Sequence, residues 1–360
     1  MLRRFKRRRT LPRSGHASWP LTCESGPTGS RQVTAAMHER RRHGTGDQSE
    51  SHREPNPAQA ALPCPTMPDG FGPSQEARPI RIAFSPDSDD LFMFWALLAG
   101  KVDAEGLSFE PERADTEALN ELAAAGQADV VAVSIARWPS IAHRYLLLPH
   151  GMSVGRGYGP ALVAQRACDL GSLRGARIGV PGLRTTAYLV LRLLLPRFEP
   201  VVLPIAPYAR VFEALRAGEV QAALLIHEGR LTFEREGLHC VCDIGHGWSE
   251  ATKGLPLPLG ANAIRRTLGT ETIAQVSRIL RRSIAWALSN REETMRALLE
   301  RESRAGLHLD KTLLDRYLAM YANADTLDAP SDVRRAIELL YARASAAGLL
   351  DSVPSVDFAP

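Results

Sequence analysis

Apolar and polar positions fall into two regimes along this chain. From residue 79 onward, short apolar runs of four to six residues alternate with stretches of helical period, the pattern of strands buried in a mainly parallel sheet and covered by helices. Strands are predicted at 80–84, near 107–110, and at 130–134, 177–180, 201–205, 222–226 and 239–244. Helices are predicted at 91–98, capped by Asp89 or Asp90, at 116–125 and from about 186. After 264 the pattern changes to long amphipathic helices near 271–289, 290–302, 310–321 and 331–347, which read as packing elements. Residues 1–77 show no apolar periodicity and are rich in Arg, Ser, Gly, Pro and His, so they are expected to form a disordered extension.

One helix-strand unit occurs twice. ELAAAGQADVVAVS ends on Ser134, and EALRAGEVQAALLIH ends on His227; each reads as helix, Ala-Gly, a short polar turn, an apolar strand and then a polar residue. Two such units imply two similar lobes: 78–160 together with 256–360 as the first, carrying the C-terminal helices, and 161–255 as the second. In open α/β sheets the carboxyl ends of strands face the ligand crevice. Ser134 and His227 are therefore expected on opposite sides of one cleft, and an imidazole there suits a general base.

Three further stretches carry candidate chemistry. The loop SPDSDD follows the first strand, so one of its acids can face the crevice while another caps the next helix. In GLRTTAYL, Thr185 and Thr186 open a helix after a strand, a Pro-Gly turn and Arg184, where free backbone N–H groups and the positive end of the helix dipole suit a carboxylate. GRGYGP lacks the order of a dinucleotide loop and reads as a crossover between lobes, from which Arg156 and Tyr158 can reach a ligand.

Composition narrows the function classes. The apolar fraction of 44% fits a globular protein, and there is no apolar run long enough to span a membrane. The net charge of +4 is concentrated at the start: residues 1–77 hold 12 Lys and Arg against 7 Asp and Glu, which leaves 32 against 33 for the rest. The body thus lacks the cationic excess of a nucleic-acid surface. LRRFKRRRT is not followed by an apolar segment, so export is not indicated and a cytoplasmic location is expected. The five cysteines are scattered and give no metal or disulfide framework; Cys240 and Cys242 are expected to share one strand face as core filler. His239, His246 and His308 lack neighbouring ligand types and are read as structural.

Five stretches in order, SPDSDDLFMF, GRGYGPALVA, VPGLRTTAYL, LLIHEGRLTF and GLPLPLGANAIRR, together resemble the 1,4-dihydroxy-6-naphthoate synthases of the futalosine route to menaquinone, over about residues 79–348. The resemblance implies a type II periplasmic-binding-protein fold, with two α/β lobes around a central cleft and C-terminal helices packed on the first lobe. It implies His227 as catalytic base, and cyclic dehypoxanthinyl futalosine as substrate, cleaved without metal or nucleotide cofactor. The partner expected is thus a small molecule carrying a carboxylate, bound by Asp90, Ser134, Arg156, Tyr158, Thr185 and Thr186, with no nucleic acid or membrane involved. The first motif departs from the family's usual SPCPNDTF: Asp87, Ser88, Asp89 and Leu91 stand where Cys, Pro, Asn and Thr are usual. Chorismate dehydratase, which looks to share the fold and the pathway, and a non-catalytic solute-binding protein are the alternatives.

Overall fold

The computed structural model describes residues 78–205, 208–301, 310–351, 353 and 355–360; the expected disordered extension and His308 lie outside them. Two sheets organise these residues. The first contains β1 (Ile80–Phe84), β2 (Phe109–Arg113), β3 (Val130–Ser134), β4 (Tyr145–Leu147), β5 (Ser153–Gly155) and, from far later in the chain, β11 (Leu257–Arg265). The second contains β6 (Ala161–Ala164), β7 (Arg177–Val180), β8 (Glu199–Val202), β9 (Ala222–Leu225) and β10 (His239–Asp243).

The sheets repeat one another strand for strand. The first runs β2-β1-β3-β11-β4 and the second β8-β7-β9-β6-β10. In both, the first three strands are mutually parallel. In both, the third pairs antiparallel with the fourth, and the fourth antiparallel with the fifth. β5 adds to β11 at the first sheet alone. β3 and β9 thus hold equivalent central places, and the segment 156–160 carries the chain from one sheet to the other. At Gly159 the backbone crosses the second lobe so closely that an added Cβ would sit 2.8 Å from the Gly245 nitrogen, which explains why that loop tolerates no side chain there.

Apolar patterning locates the central strands well and the edges poorly. β2 and β8, at the outer edges, start at 109 and 199 rather than near 107 and 201, because FEPER and EPVV are half exposed and need no continuous apolar run. The helix α1 (Ser88–Leu98) begins three residues before the expected start. Asp87 takes the N-cap position with extended backbone, and Asp89 and Asp90 ride in the first turn, so neither is the cap. Cys240 and Cys242 do not share a face: the register shifts between them, leaving Cys240 exposed and Cys242 buried.

Helices α2 (Thr116–Ala125), α3 (Thr186–Leu194), α4 (Ala209–Arg216) and α5 (Ile244–Ala251) serve the two sheets. The later helices α6 (Thr270–Ser289), α7 (Arg291–Arg301) and α8 (Lys311–Tyr321) bury a core with α1 and β1, including Phe84, Phe92, Phe94, Ile279 and Tyr317. The last helix, α9 (Ser331–Ala346), joins a second core that spans both sheets, where the Tyr341 hydroxyl donates to the Ile135 carbonyl at 2.8 Å. That packing fixes which strand ends face each other.

Candidate active site

All four residues of β9 are buried, and the chain leaves the strand through Ile226 and His227 into a short helical turn at Gly229–Thr232. His227 makes that turn with φ at 50°. A non-glycine residue held there costs on the order of 1–3 kcal/mol, which the surroundings must offset. The Tyr208 hydroxyl contributes by donating to the Ile226 carbonyl at 2.7 Å. The result is an imidazole that is 17% exposed at the end of the second lobe's central strand.

First-lobe groups surround this ring. Nδ1 lies 2.8 Å from Asp87 Oδ2 and 3.4 Å from the Tyr317 hydroxyl, while Nε2 lies 3.1 Å from Thr116 Oγ1. A proton on Nδ1 satisfies the Asp87 carboxylate, so Nε2 is the nitrogen presented to Thr116 and the cleft. Asp89 accepts from the Tyr317 hydroxyl at 2.9 Å and from Ser153 Oγ at 2.6 Å. Asp90 accepts from the Ser85 backbone N–H at 2.7 Å. The fully buried Glu228 accepts from both the backbone N–H and the hydroxyl of Ser88, at 3.0 and 2.5 Å.

So many carboxylates set the local ionisation. Burial alone would lower the His227 pKa, but Asp87, by charge and hydrogen bond, and then Asp89 and Glu228 outweigh it and raise the imidazole to about 9. Burial, followed by the charge of Asp89, pushes the Asp90 carboxyl well above its ordinary range against the opposing Ser85 N–H. Burial and Asp89 likewise raise the Tyr317 hydroxyl. With its pKa near 9, the imidazole pairs with Asp87 as an imidazolium at neutral pH, while burial and the Asp89 charge favour the protonated form of Asp90. No group of three or more His, Cys, Asp or Glu among the described residues is placed to hold a metal ion.

The cleft between the lobes encloses about 750 Å³, open solvent included. Its lining brings together five of the residues expected from sequence: Asp90, Ser134, Thr185, Thr186 and His227. Ser134 Oγ accepts from Asn120 Nδ2 at 3.2 Å, which leaves its own hydroxyl hydrogen to donate. The threonine hydroxyls are differently placed. Thr185 donates to the Gly182 carbonyl at 2.9 Å and Thr186 to the Leu259 carbonyl at 2.6 Å, so each hydroxyl hydrogen is already given to the fold. What the start of α3 offers a ligand is its first backbone N–H groups.

Arg156 and Tyr158 are not in the lining. Arg156 forms a two-pronged pair with Asp325, at 2.7 Å to each oxygen, and reaches Asp332 at 2.8 Å; the Tyr158 hydroxyl donates to the Met320 carbonyl at 2.7 Å. Both tie the crossover loop to the C-terminal helices, so the structure does not bring these two expected ligand contacts into the cleft lining. In their place the cleft holds Thr116, Ser153, Arg230 and Tyr317, which the sequence reading did not single out as ligand contacts. Arg230 pairs with Asp243 at 2.6 Å, and its buried Nε has no hydrogen-bond partner among the described residues. A cation two residues past a strand-end acid was the available signal for it.

Two α/β lobes of matching topology, with a polar cleft at the ends of their central strands, define the class of periplasmic-binding-protein folds. In agreement, the alkanesulfonate-binding protein SsuA of Xanthomonas axonopodis pv. citri superposes with a TM-score of 0.58 at 17% identity, covering 78% of this chain and 96% of that one, a likeness of fold alone. Within that class the chain belongs to the menaquinone biosynthesis family, whose pattern matches residues 80–346. A relative in Thermus thermophilus named 1,4-dihydroxy-6-naphthoate synthase is 38% identical over 275 residues, 76% of this chain and 97% of that protein. A solved structure of a protein from Archaeoglobus fulgidus is 43% identical with a TM-score of 0.70, covering 75% of this chain and 98% of that one.

Proposed function

We propose that this chain is a lyase of menaquinone biosynthesis that converts cyclic dehypoxanthinyl futalosine to 1,4-dihydroxy-6-naphthoate and a three-carbon dihydroxyacetone-type fragment, with His227 as general base. The observation that carries the reading is the aim of His227: a strained turn at φ 50° and an Asp87 contact at 2.8 Å present Nε2 to the cleft that Ser134, Thr185 and Thr186 also line. Family membership and the Thermus thermophilus relative supply the reaction class.

The substrate carboxylate docks away from the acidic cluster. Asp87, Asp89 and Glu228 repel an anion near His227, whereas the first N–H groups of α3 and the Ser134 hydroxyl favour one. His227 Nε2 then removes the proton whose loss starts ring cleavage, and a base so placed is worth about a hundred- to ten-thousandfold. Aromatisation carries the later steps downhill. The base form must be neutral, and its population grows as pH rises toward the imidazole pKa of about 9. A cytoplasmic reaction is the reading that fits the biosynthetic relative named above; separately, no helix among the described residues is long and apolar enough to cross a membrane.

The test is to incubate the purified full chain separately with cyclic dehypoxanthinyl futalosine and with chorismate, following both by mass spectrometry. Loss of the former with appearance of the naphthoate is expected. Consumption of chorismate instead, or binding of either compound without turnover, overturns the assignment.

A further inference from the structure

Asp87 occupies the N-cap of α1, yet its carboxylate makes no cap hydrogen bond to that helix. A capping aspartate contributes about 1 kcal/mol to its helix, so a side chain turned away from that role has a competing use. Here the carboxylate is 3% exposed as a residue, accepts from the Ser85 hydroxyl and faces His227 Nδ1. A different free N–H of the same helix end is met from the other lobe: Glu228, 140 positions on, accepts the Ser88 N–H at the start of α1. Consecutive residues thus exchange partners across the cleft, Asp87 with His227 and Ser88 with Glu228.

We propose that Asp87 is a positioning residue for His227: the first lobe supplies the carboxylate that fixes the tautomer and orientation of the imidazole carried by the second. The inference rests on His227 being the base, and goes beyond it by naming what makes that base competent. The other groups facing the ring do not substitute for Asp87. Asp89 is engaged by Tyr317 and Ser153, Asp90 by the Ser85 N–H, and Glu228 by Ser88. Tyr317 meets Nδ1 only at 3.4 Å with its own hydrogen given to Asp89, and Thr116 meets the opposite nitrogen. A neutral imidazole with no carboxylate at Nδ1 is free to carry its proton on Nε2, the wrong nitrogen for abstraction, as when an aspartate that orients a catalytic histidine is replaced by asparagine.

The experiment compares wild type with Asp87→Asn by two readouts. Nitrogen-15 NMR of histidine-labelled protein, with the His227 signals assigned by their loss in His227→Gln, follows tautomer and titration. Expected are a neutral wild-type ring protonated at Nδ1, and a variant whose His227 midpoint falls by about one pH unit or more with the Nε2 tautomer populated. In turnover, kcat falls at least about tenfold, KM stays within about threefold, and the acidic limb of the pH–rate profile moves down with the midpoint. An unchanged midpoint and tautomer in Asp87→Asn overturns the proposal even if the wild type turns over substrate. If the variant does not fold, the wild-type titration alone decides: a His227 midpoint at or below the ordinary value near 6.5, or a ring protonated at Nε2, sinks it. Absence of turnover in a wild type with the expected NMR behaviour counts instead against the proposed reaction and leaves the pairing supported.

Discussion

The ends of β3 and β9 occupy the same place in two matching sheets and carry opposite chemistry. β3 delivers Ser134 in extended geometry, with its backbone N–H and Oγ both held by Asn120 at 3.0 and 3.2 Å. β9 delivers His227 in a left-handed turn, ringed by carboxylates from the other lobe. The comparison teaches that topology assigns where a functional side chain appears, while the local turn and the facing lobe decide what it does. A hydroxyl held by a neutral amide can bind; an imidazole tied to an acid can move a proton.

The sharpest break of that asymmetry is His227→Ala, which should lower kcat by about a hundred- to ten-thousandfold with product affinity retained by calorimetry. Near-wild-type turnover would make the two strand ends equivalent binders. Next in size, the pH–rate profile should climb about tenfold per pH unit over the acidic side and level off near the imidazole pKa of about 9. A plateau beginning near 6.5, the ordinary histidine value, would mean the carboxylates do not act on the ring. Stability should run the other way. The folded pKa of His227 lies above its unfolded value, so the pairing stabilises fully below about 6.5 and the benefit disappears as pH rises through about 9, which melting curves across that window can follow.

On the other strand end, Ser134→Ala removes a donor without touching the base. It should raise KM by a few-fold to about tenfold, equivalent to about 0.5–1.5 kcal/mol, with the pH limb unmoved. The smallest effect belongs to Thr185, whose hydroxyl is spent on its helix: Thr185→Ala should cost about 1 kcal/mol of stability in denaturant titrations and little affinity. A large affinity loss there would mean the hydroxyl, rather than the backbone N–H groups of α3, holds the carboxylate.

Much of this was legible in the residues. Strands buried on both faces announced themselves by apolar runs, and the two copies of one helix-strand unit placed Ser134 and His227 at corresponding ends. The pairing of His227 with Asp87 was not legible, because it joins residues from different lobes through a cap that local rules assign to α1. Arg156 and Tyr158 show a related limit: a glycine-rich crossover lies beside the cleft, but its side chains turn to acids and carbonyls of later helices. Histidines show the limit most clearly. His150 is fully buried, and that burial pulls its pKa down to about 4, whereas carboxylates raise His227 to about 9. Its strand-end position marks His227 in the sequence, but the Asp87 and Asp89 carboxylates that raise its pKa come from far along the chain and leave no mark beside it.

The interleaving of β11 has a consequence for how the chain reaches this state. β3 and β4 are joined only through β11, whose residues 257–265 are made about a hundred positions after them, whereas all five strands of the other sheet come from one continuous stretch, 161–243. During synthesis the later sheet can therefore assemble before the earlier one is whole. The half that leaves the ribosome first is the half completed last, its gap waiting on distant sequence.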